Sequence, residues 1–138
     1  LRGMFLCCRA VYGQMKKQGR GKIINISSSR FWAGTPNRLH YSTSKAGVIG
    51  LTRSLSREVG DDNIAVNAIT PGFTESDTQL ATSTTQYLQS QAERYRGRSF
   101  KRAEQPDDLV GAVIFLASDA SNFITGQTLN VDGGENMH

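Results

Sequence analysis

Short apolar runs separated by long helical patterns constrain the fold of this chain more than any other feature. Residues 22–27 and 64–69 are rich in isoleucine and valine, and residues 128–131 form a third short run. Helical patterns occupy three other stretches: 1–18, 40–59 and 106–117. Because strands that alternate with helices pair in parallel and are buried on both faces, we predict an α/β chain with a parallel sheet.

The predicted sheet has only about three strands, although 138 residues suffice for one domain with a core. Three parallel strands alone would expose an apolar edge. We therefore expect a further portion of the protein, or a second chain, to complete the fold. Residues 1–138 contain no internal repeat, low-complexity segment or linker, so they are predicted to lie within a single domain.

The composition favours a soluble, cytoplasmic protein. Apolar residues make up 38% of the chain and charged residues 20%. No apolar run approaches the roughly 20 residues that a membrane span needs, and no secretion signal is recognisable. The two cysteines, Cys7 and Cys8, are neighbours on a predicted helix, where they cannot bridge without strain. Free thiols suit a reducing cytoplasm.

The net charge of +4 is accompanied by a basic cluster at the end of the first predicted helix. The cluster consists of Lys16, Lys17, Arg20 and Lys22. Nucleic-acid binding is one interpretation, but no aromatic residues interleave with these cations, which suit the negative end of a helix dipole. We expect a solvated helix end and neither a nucleic-acid nor a membrane partner.

Metal-ligand patterns are missing from the sequence. The two histidines, His40 and His138, have no spacing that suggests a shared ligand role. Paired cysteines at ligand spacing and dense carboxylate clusters are also missing. We therefore expect no metal site.

Ser28, Tyr41 and Lys45 form the pattern with the most chemical content. Tyr41 and Lys45 are four residues apart on a predicted helix, so their side chains share one face. An ammonium favours a phenolate over a phenol, which lets a tyrosine act as an acid or base nearer neutral pH. Ser28 follows the first predicted strand, and its hydroxyl could hold a carbonyl or alcohol oxygen. The Tyr–Lys spacing alone is also common among solvated pairs.

Four segments around these residues resemble motifs of the short-chain dehydrogenase/reductases. They occur in the family's order, at residues 21–28, 41–47, 64–73 and 115–134. The resemblance implies a Rossmann-type doubly wound parallel sheet, of which this chain supplies the C-terminal part. It also implies an oxidoreductase that uses NAD or NADP to interconvert a secondary alcohol and a ketone. The substrate range could run from 3-oxoacyl thioesters to sugars or aryl alcohols.

The resemblance assigns roles to the three candidate catalytic residues. Tyr41 is implied to donate a proton in carbonyl reduction and to accept one in alcohol oxidation. Lys45 is implied to assist Tyr41 and to hydrogen-bond the nicotinamide ribose. Ser28 lies thirteen residues before the tyrosine, the family's usual spacing, and is implied to hold the substrate oxygen. Ser27 and Ser29 are expected to be structural.

The turn that follows the second predicted strand is implied to bind the cofactor. Relatives carry a similar Pro-Gly turn, found here at Pro71 and Gly72. Backbone groups near Thr74 would meet the nicotinamide carboxamide. Ser76, where relatives usually carry threonine, would offer a hydroxyl to the carboxamide or the pyrophosphate. An ordinary Pro-Gly turn explains the same residues without any ligand.

Two polar segments are candidates for substrate contact. In the predicted loop 28–38, Trp32 could line a pocket or pack beneath the loop, and it is preferred over Phe31 and Arg38. Residues 80–95 are rich in Thr, Ser and Gln, and they resemble the variable substrate lid of the family.

The resemblance further implies a homotetramer, with the first two long helices in one interface and the last helix and strand in another. Family members are longer than this chain, and no glycine-rich dinucleotide turn occurs in it. The usual active-site asparagine of relatives lies just before a stretch like residues 1–5. An alternative hypothesis is a truncated or cleaved chain that is catalytically silent and acts only as part of an assembly.

Overall fold

The computed structural model describes residues 1–137, apart from the side chains of Leu88, Gln91, Ala92 and Arg94. His138 lies outside the described residues. Three strands form one parallel sheet in the order β1-β2-β3. Their bounds are Gly21–Ile26, Ile64–Pro71 and Thr128–Val131. The predicted parallel α/β architecture is confirmed.

The register of the sheet brings the carboxyl ends of the strands to one edge. Ile26 at the end of β1 pairs with Ile69, and Val131 at the end of β3 pairs with Pro71. Because the strands pair in parallel, each must be joined to the next by a crossover connection. Helix α3 (Leu39–Glu58) connects β1 to β2, and helix α6 (Asp107–Ala117) precedes β3.

The central strand β2 holds the core. Every residue from Ile64 to Thr70 is buried, as expected for a strand with neighbours on both sides and helices on both faces. A cluster of buried apolar residues, Val59, Ile64 and Val66, anchors this core. Side chains from α1 (Arg2–Gln18), β1 and α3 pack against it: Tyr12, Met15, Ile23 and Leu55.

Helices α1 and α3 cover one face of the sheet and are tied to β1 by a buried polar contact. Asn25 Nδ2 donates to Thr52 Oγ1 at 3.0 Å, and Cys8 Sγ lies 3.7 Å from Asn25 Oδ1. Burial raises the pKa of the Cys8 thiol above its ordinary value. Helix α1 ends at Gly19, whose left-handed conformation (φ 63°) suits glycine.

Helix α6 covers the opposite face. Helix α6 lies against all three strands. The Lys22 side chain donates to Ser121, which lies just after α6. Because Lys22 is next to Ile23 in β1, the two side chains point to opposite faces of the sheet, and Ile23 packs on the face that α1 and α3 cover. The apolar sequence of α6 predicts burial on all sides, but within this chain only Leu116 is buried. Ile114 is 62% exposed and Val110 48%. The helix packs on the sheet by one face only, and its other apolar faces are exposed within this chain.

Three short helices complete the chain. The predicted loop 28–38 contains a one-turn helix, α2 (Arg30–Ala33). The polar segment after β2 forms α4 (Asp77–Thr82) and α5 (Thr85–Tyr95). No helix among residues 1–137 is long and apolar enough to cross a membrane.

Candidate active site

Ser28 lies at the carboxyl edge of the sheet, directly after β1. It is buried together with its neighbours Ser27 and Ser29. The Ser28 hydroxyl accepts a hydrogen bond from the Arg30 backbone N–H at 3.3 Å. Since a hydroxyl has two lone pairs and one proton, Ser28 can still donate to a ligand oxygen.

Ser27 and Lys45 connect the end of β1 to the second turn of α3 by two hydrogen bonds. Ser27 Oγ donates to the Lys45 carbonyl at 2.7 Å, and Lys45 Nζ donates to the Ile26 carbonyl at 3.0 Å. This reciprocal pair of hydrogen bonds, called here the strand–helix clasp, places Lys45 Nζ 5.8 Å from the centre of the Tyr41 ring. The clasp therefore fixes the helix that carries Tyr41 relative to the strand that carries Ser28.

The turn after β2 makes a close contact with Glu104. The Gly72 N–H donates to Val131 O at 2.9 Å and to Glu104 Oε2 at 3.0 Å. Thr74 Oγ1 donates to Glu104 Oε1 at 2.8 Å. A Cβ at position 72 would lie 2.5 Å from Glu104 Oε2 and 3.0 Å from Asp132 Cβ, so only glycine fits.

A buried charged group lies behind this turn. Glu104, Asp132 and Arg98 are 3%, 2% and 1% exposed. Arg98 Nε donates to Glu135 Oε2 at 2.9 Å. Asp132 accepts hydrogen bonds from the backbone N–H groups of residues 134–136. Because buried charges are costly unless they are paired and hydrogen-bonded, these contacts stabilise the end of the sheet.

The two buried carboxyl groups titrate in opposite directions. Burial raises the pKa of Glu104 above its usual range and outweighs the hydrogen bonds from Thr74 and a backbone N–H. Burial acts in the same sense on Asp132, but hydrogen bonds from Asn136, Asn130 and the backbone together hold the pKa of Asp132 below its usual value. The fold therefore shifts the equilibrium of Glu104 toward its neutral form and that of Asp132 toward its ionised form.

Ser28 and Tyr41 open into one cavity of about 650 Å³ at this edge of the sheet. One side, called here the strand-side wall, consists of Ser28, Arg30, Arg38 and Tyr41. The other side, the α4–α5 wall, consists of Gln79, Thr82, Ser83, Thr84 and Tyr87. The turn residues 72–74 form the base. A cavity at the carboxyl ends of parallel strands is the usual place for a ligand in α/β proteins.

The comparisons with known proteins agree with this geometry. Residues 1–136 match the sequence family described as enoyl-(acyl carrier protein) reductase. The chain is 45% identical over 134 residues to the Rhizobium meliloti protein named "Probable galactose dehydrogenase GalD", and 43% identical to 3-oxoacyl-[acyl-carrier-protein] reductase FabG of Chlamydia trachomatis. In each case the match covers 97% of this chain and 52% of the relative.

A solved structure gives the same result. The structure of 3-oxoacyl-[acyl-carrier protein] reductase from Brucella melitensis superposes on this chain with a TM-score of 0.86 at 32% identity. The match covers 100% of this chain and 50% of the reductase chain. This chain belongs to the short-chain dehydrogenase/reductase family. Members of this family are oxidoreductases. The chain spans about half the length of the curated relatives that it matches.

Within this family framework, the structure brings Ser28 and Tyr41 to one cavity and places Lys45 beside them. Trp32, the preferred candidate for substrate contact, lies outside the described lining. Its Nε1 donates to Thr70 Oγ1 at 3.5 Å, and its ring centre is 4.7 Å from that of Phe31. Trp32 thus packs beneath the segment after β1, while Arg38 faces the cavity.

Of the predicted cofactor residues, Pro71 is the last residue of β2 and Ser76 precedes α4, whereas Gly72 and Thr74 line the cavity. The Thr74 hydroxyl already donates to Glu104. Ser76 caps α4, its Oγ accepting from the Gln79 N–H at 3.2 Å. Lys45 retains donors beyond its bond to Ile26, and the Ser76 hydroxyl retains its proton. This donor set fits the polar groups of a nicotinamide nucleotide.

Sequence reasoning missed Arg30 and Glu104. Arg30 lies two residues after Ser28, and only the turn of α2 directs its side chain into the cavity. Glu104 stands alone in a polar stretch without periodicity, so the sequence carries no signal for its burial. Among the residues that the structure describes, no three His, Cys, Asp or Glu side chains are grouped to hold a metal ion.

Proposed function

We propose that this chain provides the proton-transfer and substrate-binding part of an NAD(P)-dependent oxidoreductase that interconverts a secondary alcohol and a ketone. The observation that supports it most is the shared cavity of Ser28 and Tyr41, with Lys45 one helical turn from the tyrosine. Residues 1–138 would then form the C-terminal portion of one Rossmann-type domain.

In the reduction direction, Tyr41 would donate its phenolic proton to the oxygen of the substrate carbonyl. Ser28 would donate a hydrogen bond to the same oxygen and hold it near the phenol. Lys45 would stabilise the resulting phenolate, because its ammonium is held on the tyrosine side of α3 by the Ile26 carbonyl. Alcohol oxidation reverses each of these proton movements.

The nicotinamide cofactor, when bound, supplies or accepts the hydride. Lys45 would bind its ribose, and the segment from Pro71 to Ser76 would meet the nicotinamide end. We propose NAD or NADP without distinguishing them, since residues 1–138 contain no acidic or basic position that the family resemblance links to this choice.

We also propose a homotetramer. Two apolar helix surfaces support it, because large exposed apolar patches on soluble proteins mark interaction sites. On α6, Val110, Ile114 and Phe115 are exposed, and on α1, Phe5 and Val11 are exposed. These are the elements that the family resemblance assigns to subunit contacts.

The experiment that tests the proposed chemistry is Tyr41→Phe in the full-length protein. Loss of the phenolic proton should lower NAD(P)-linked turnover by roughly 10²–10⁴-fold, while cofactor binding, followed by fluorescence titration, stays intact. Tyr12→Phe is the matched control, because Tyr12 Oη bonds Asp62 at the opposite edge of the sheet. Unchanged turnover in Tyr41→Phe would rule out the proposed acid and favour a catalytically silent chain.

A further inference from the structure

Glu104 holds the turn after β2 through both its side chain and its backbone. Its carboxyl group accepts hydrogen bonds from the Gly72 N–H at 3.0 Å and from the Thr74 hydroxyl at 2.8 Å. Its backbone carbonyl accepts a third hydrogen bond, from the Glu75 N–H at 2.8 Å. Thr74 and Glu104 also pair as an isolated parallel bridge. One residue from the segment before α6 therefore fixes the turn on both sides of its centre.

The sheet itself does not need this carboxyl group. The Gly72 N–H already donates to Val131 O at 2.9 Å, which continues the pairing of β2 with β3. Glu104 is 3% exposed, and burial of a carboxyl group costs free energy that burial of an apolar side chain would not. Burial raises the pKa of Glu104 as a result. Sheet pairing does not account for a buried acid at this position, whereas its three hydrogen bonds to one turn do.

The centre of this turn keeps two backbone donors free. Among the residues that the structure describes, neither the Phe73 N–H nor the Thr74 N–H forms a hydrogen bond. Both residues line the cavity that Ser28 and Tyr41 share, and both are only partly buried. Two adjacent N–H groups suit an acceptor oxygen such as that of a carboxamide, and they bind it better when the backbone is fixed before the ligand arrives.

The contacts of Glu104 also oppose a second set of contacts, which joins the turn to α5. The Phe73 ring lies edge-to-face against Tyr87, with 5.8 Å between the ring centres, and Tyr95 Oη donates to Glu75. Without Glu104, these bonds would couple the centre of the turn to a mostly exposed helix. With Glu104, the turn is coupled to the buried end of the sheet.

We propose that Glu104 is a positioning residue for the nicotinamide end of the cofactor. By holding Gly72, Thr74 and Glu75, it keeps the two free N–H groups of the turn where the nicotinamide carboxamide can accept from them. This inference rests on the proposed function, since it names a residue that shapes the cofactor part of the same site. Glu104 touches neither cofactor nor substrate in this role and acts through the turn alone.

The test compares two kinds of ligand in the full-length protein by isothermal titration calorimetry. NADH and NADPH carry the nicotinamide, whereas ADP-ribose and its 2′-phosphate lack it and keep the other groups of the cofactor. Glu104→Ala should weaken binding of the preferred dinucleotide by about tenfold, the effect of one or two hydrogen bonds. Binding of the matching ADP-ribose should change by less than about twofold. A general structural defect would weaken both ligands alike, so the ratio of the two Kd values separates positioning from folding.

Asp132→Asn is the matched control. Asp132 is another buried acid of the same charged group, but its carboxyl group accepts from the backbone of residues 134–136 and not from the turn. The variant should be less stable and should keep the wild-type ratio of Kd values. A change of this ratio as large as that in Glu104→Ala would overturn the proposal, and so would an equal loss of both ligands in Glu104→Ala.

Thr74→Val tests the same contact with a smaller change, because it removes the hydroxyl that donates to Glu104. Alone, it should lower the preference for the dinucleotide over ADP-ribose by about fivefold. In the Glu104→Ala background it should have no further effect. Additive losses would assign the Thr74 hydroxyl to a direct ligand contact and overturn the route through Glu104. If Glu104→Ala does not fold, an unchanged preference in Thr74→Val overturns the proposal by itself.

Failure of this inference differs from failure of the proposed function. A preference that depends on Glu104, together with unchanged turnover in Tyr41→Phe, would keep the inference and lose the proposed acid. A large loss of turnover in Tyr41→Phe, together with an unchanged preference in Glu104→Ala, would keep the acid and overturn the inference. A full-length protein that binds neither NADH nor NADPH would overturn both.

Discussion

The strand-side wall of the cavity is held by hydrogen bonds between β1 and α3, whereas the lining residues Gln79 and Thr82 of the α4–α5 wall form hydrogen bonds within their own segment. On the first wall, the strand–helix clasp links β1 to α3. On the second, Gln79 Nε2 donates to Ser83 Oγ, and Thr82 Oγ1 donates to Thr78 O. One wall is positioned by the core of the sheet; the other is a pair of short, mostly exposed helices.

This difference separates two tasks. The proposed proton transfer needs donors and acceptors held in a narrow range of geometry, which the buried end of β1 would provide. Discrimination among substrates needs a surface that can change without moving the reacting groups. The α4–α5 wall contacts the turn after β2 through the edge-to-face pair of Phe73 and Tyr87 and through Tyr95 Oη, which donates to Glu75 Oε1 at 2.7 Å.

Among variants that test the contrast between the two walls, the largest effect on turnover is expected at Lys45. Lys45→Met removes both the ammonium beside Tyr41 and the donor to Ile26 O, so turnover of the full-length protein should fall by roughly 10²–10⁴-fold. Lys16→Met serves as the control, because Lys16 is exposed and pairs with Asp62 on the far side of the chain. Steady-state kinetics measure both variants, and a Lys45→Met enzyme with near-normal kcat would show that neither the ammonium nor its hydrogen bond to Ile26 is needed, since the bond from Ser27 to the Lys45 carbonyl remains.

Two serines of the same cavity sharpen the comparison further. Ser28→Ala should lower kcat by about 100-fold, because in the proposed mechanism the lost hydroxyl would hold the reacting oxygen. Ser83→Ala should change kcat/KM by about fivefold or less, since it removes one neutral hydrogen bond of the α4–α5 wall. Equal losses in the two variants, measured with one substrate, would contradict the division between the walls.

The smallest effect concerns the base of the cavity and depends on pH. Glu104→Gln places an amide N–H₂ near donors and should cost about 1–3 kcal/mol in the free energy of unfolding. Because the folded state raises the pKa of Glu104, the stability that its neutral form contributes is present below its unfolded pKa. That contribution is lost as the pH rises through the folded pKa. The difference in the free energy of unfolding between wild type and Glu104→Gln should therefore become smaller as the pH rises.

Asp132→Asn is the control, because its effect on the free energy of unfolding should change with pH in the opposite direction. The pKa of Asp132 is lowered in the fold, so its contribution is present above its unfolded pKa and is lost as the pH falls through the folded value. Urea unfolding of both variants and wild type across a pH series measures the two trends. Parallel trends in the two variants would show that the carboxyl groups are not shifted in opposite directions.

The elements around the core could be predicted because burial leaves a periodic signal. The apolar run of β2 and the shared face of Tyr41 and Lys45 follow directly from strand and helix geometry. The exposure of α6 could not be predicted in this way, since an apolar sequence such as that around Ile114 specifies that a surface is to be covered but not by which chain.

The position of Ser28 and Tyr41 at one cavity was predicted, whereas the rest of the lining was predicted only in part. Ser28 and Tyr41 have a spacing that the family resemblance makes informative, whereas Arg30 enters the cavity through a single turn of helix that the sequence does not signal. Trp32 was preferred over Arg38 for its aromatic surface. In the fold the indole reaches Thr70, because apolar rings are stabilised by packing and guanidinium groups by solvent.

The strand–helix clasp has a consequence for how this site can change over time. Its bonds join residues that flank the segment between Ser28 and Tyr41, so the spacing of the reacting groups does not depend on the length or sequence of that connection. Insertions and substitutions around Thr35 and Asn37 can then accumulate without changing the relative position of Ser28 and Tyr41. The clasp would preserve the proposed proton-transfer geometry while the connecting segment, and with it the choice of substrate, changes during evolution.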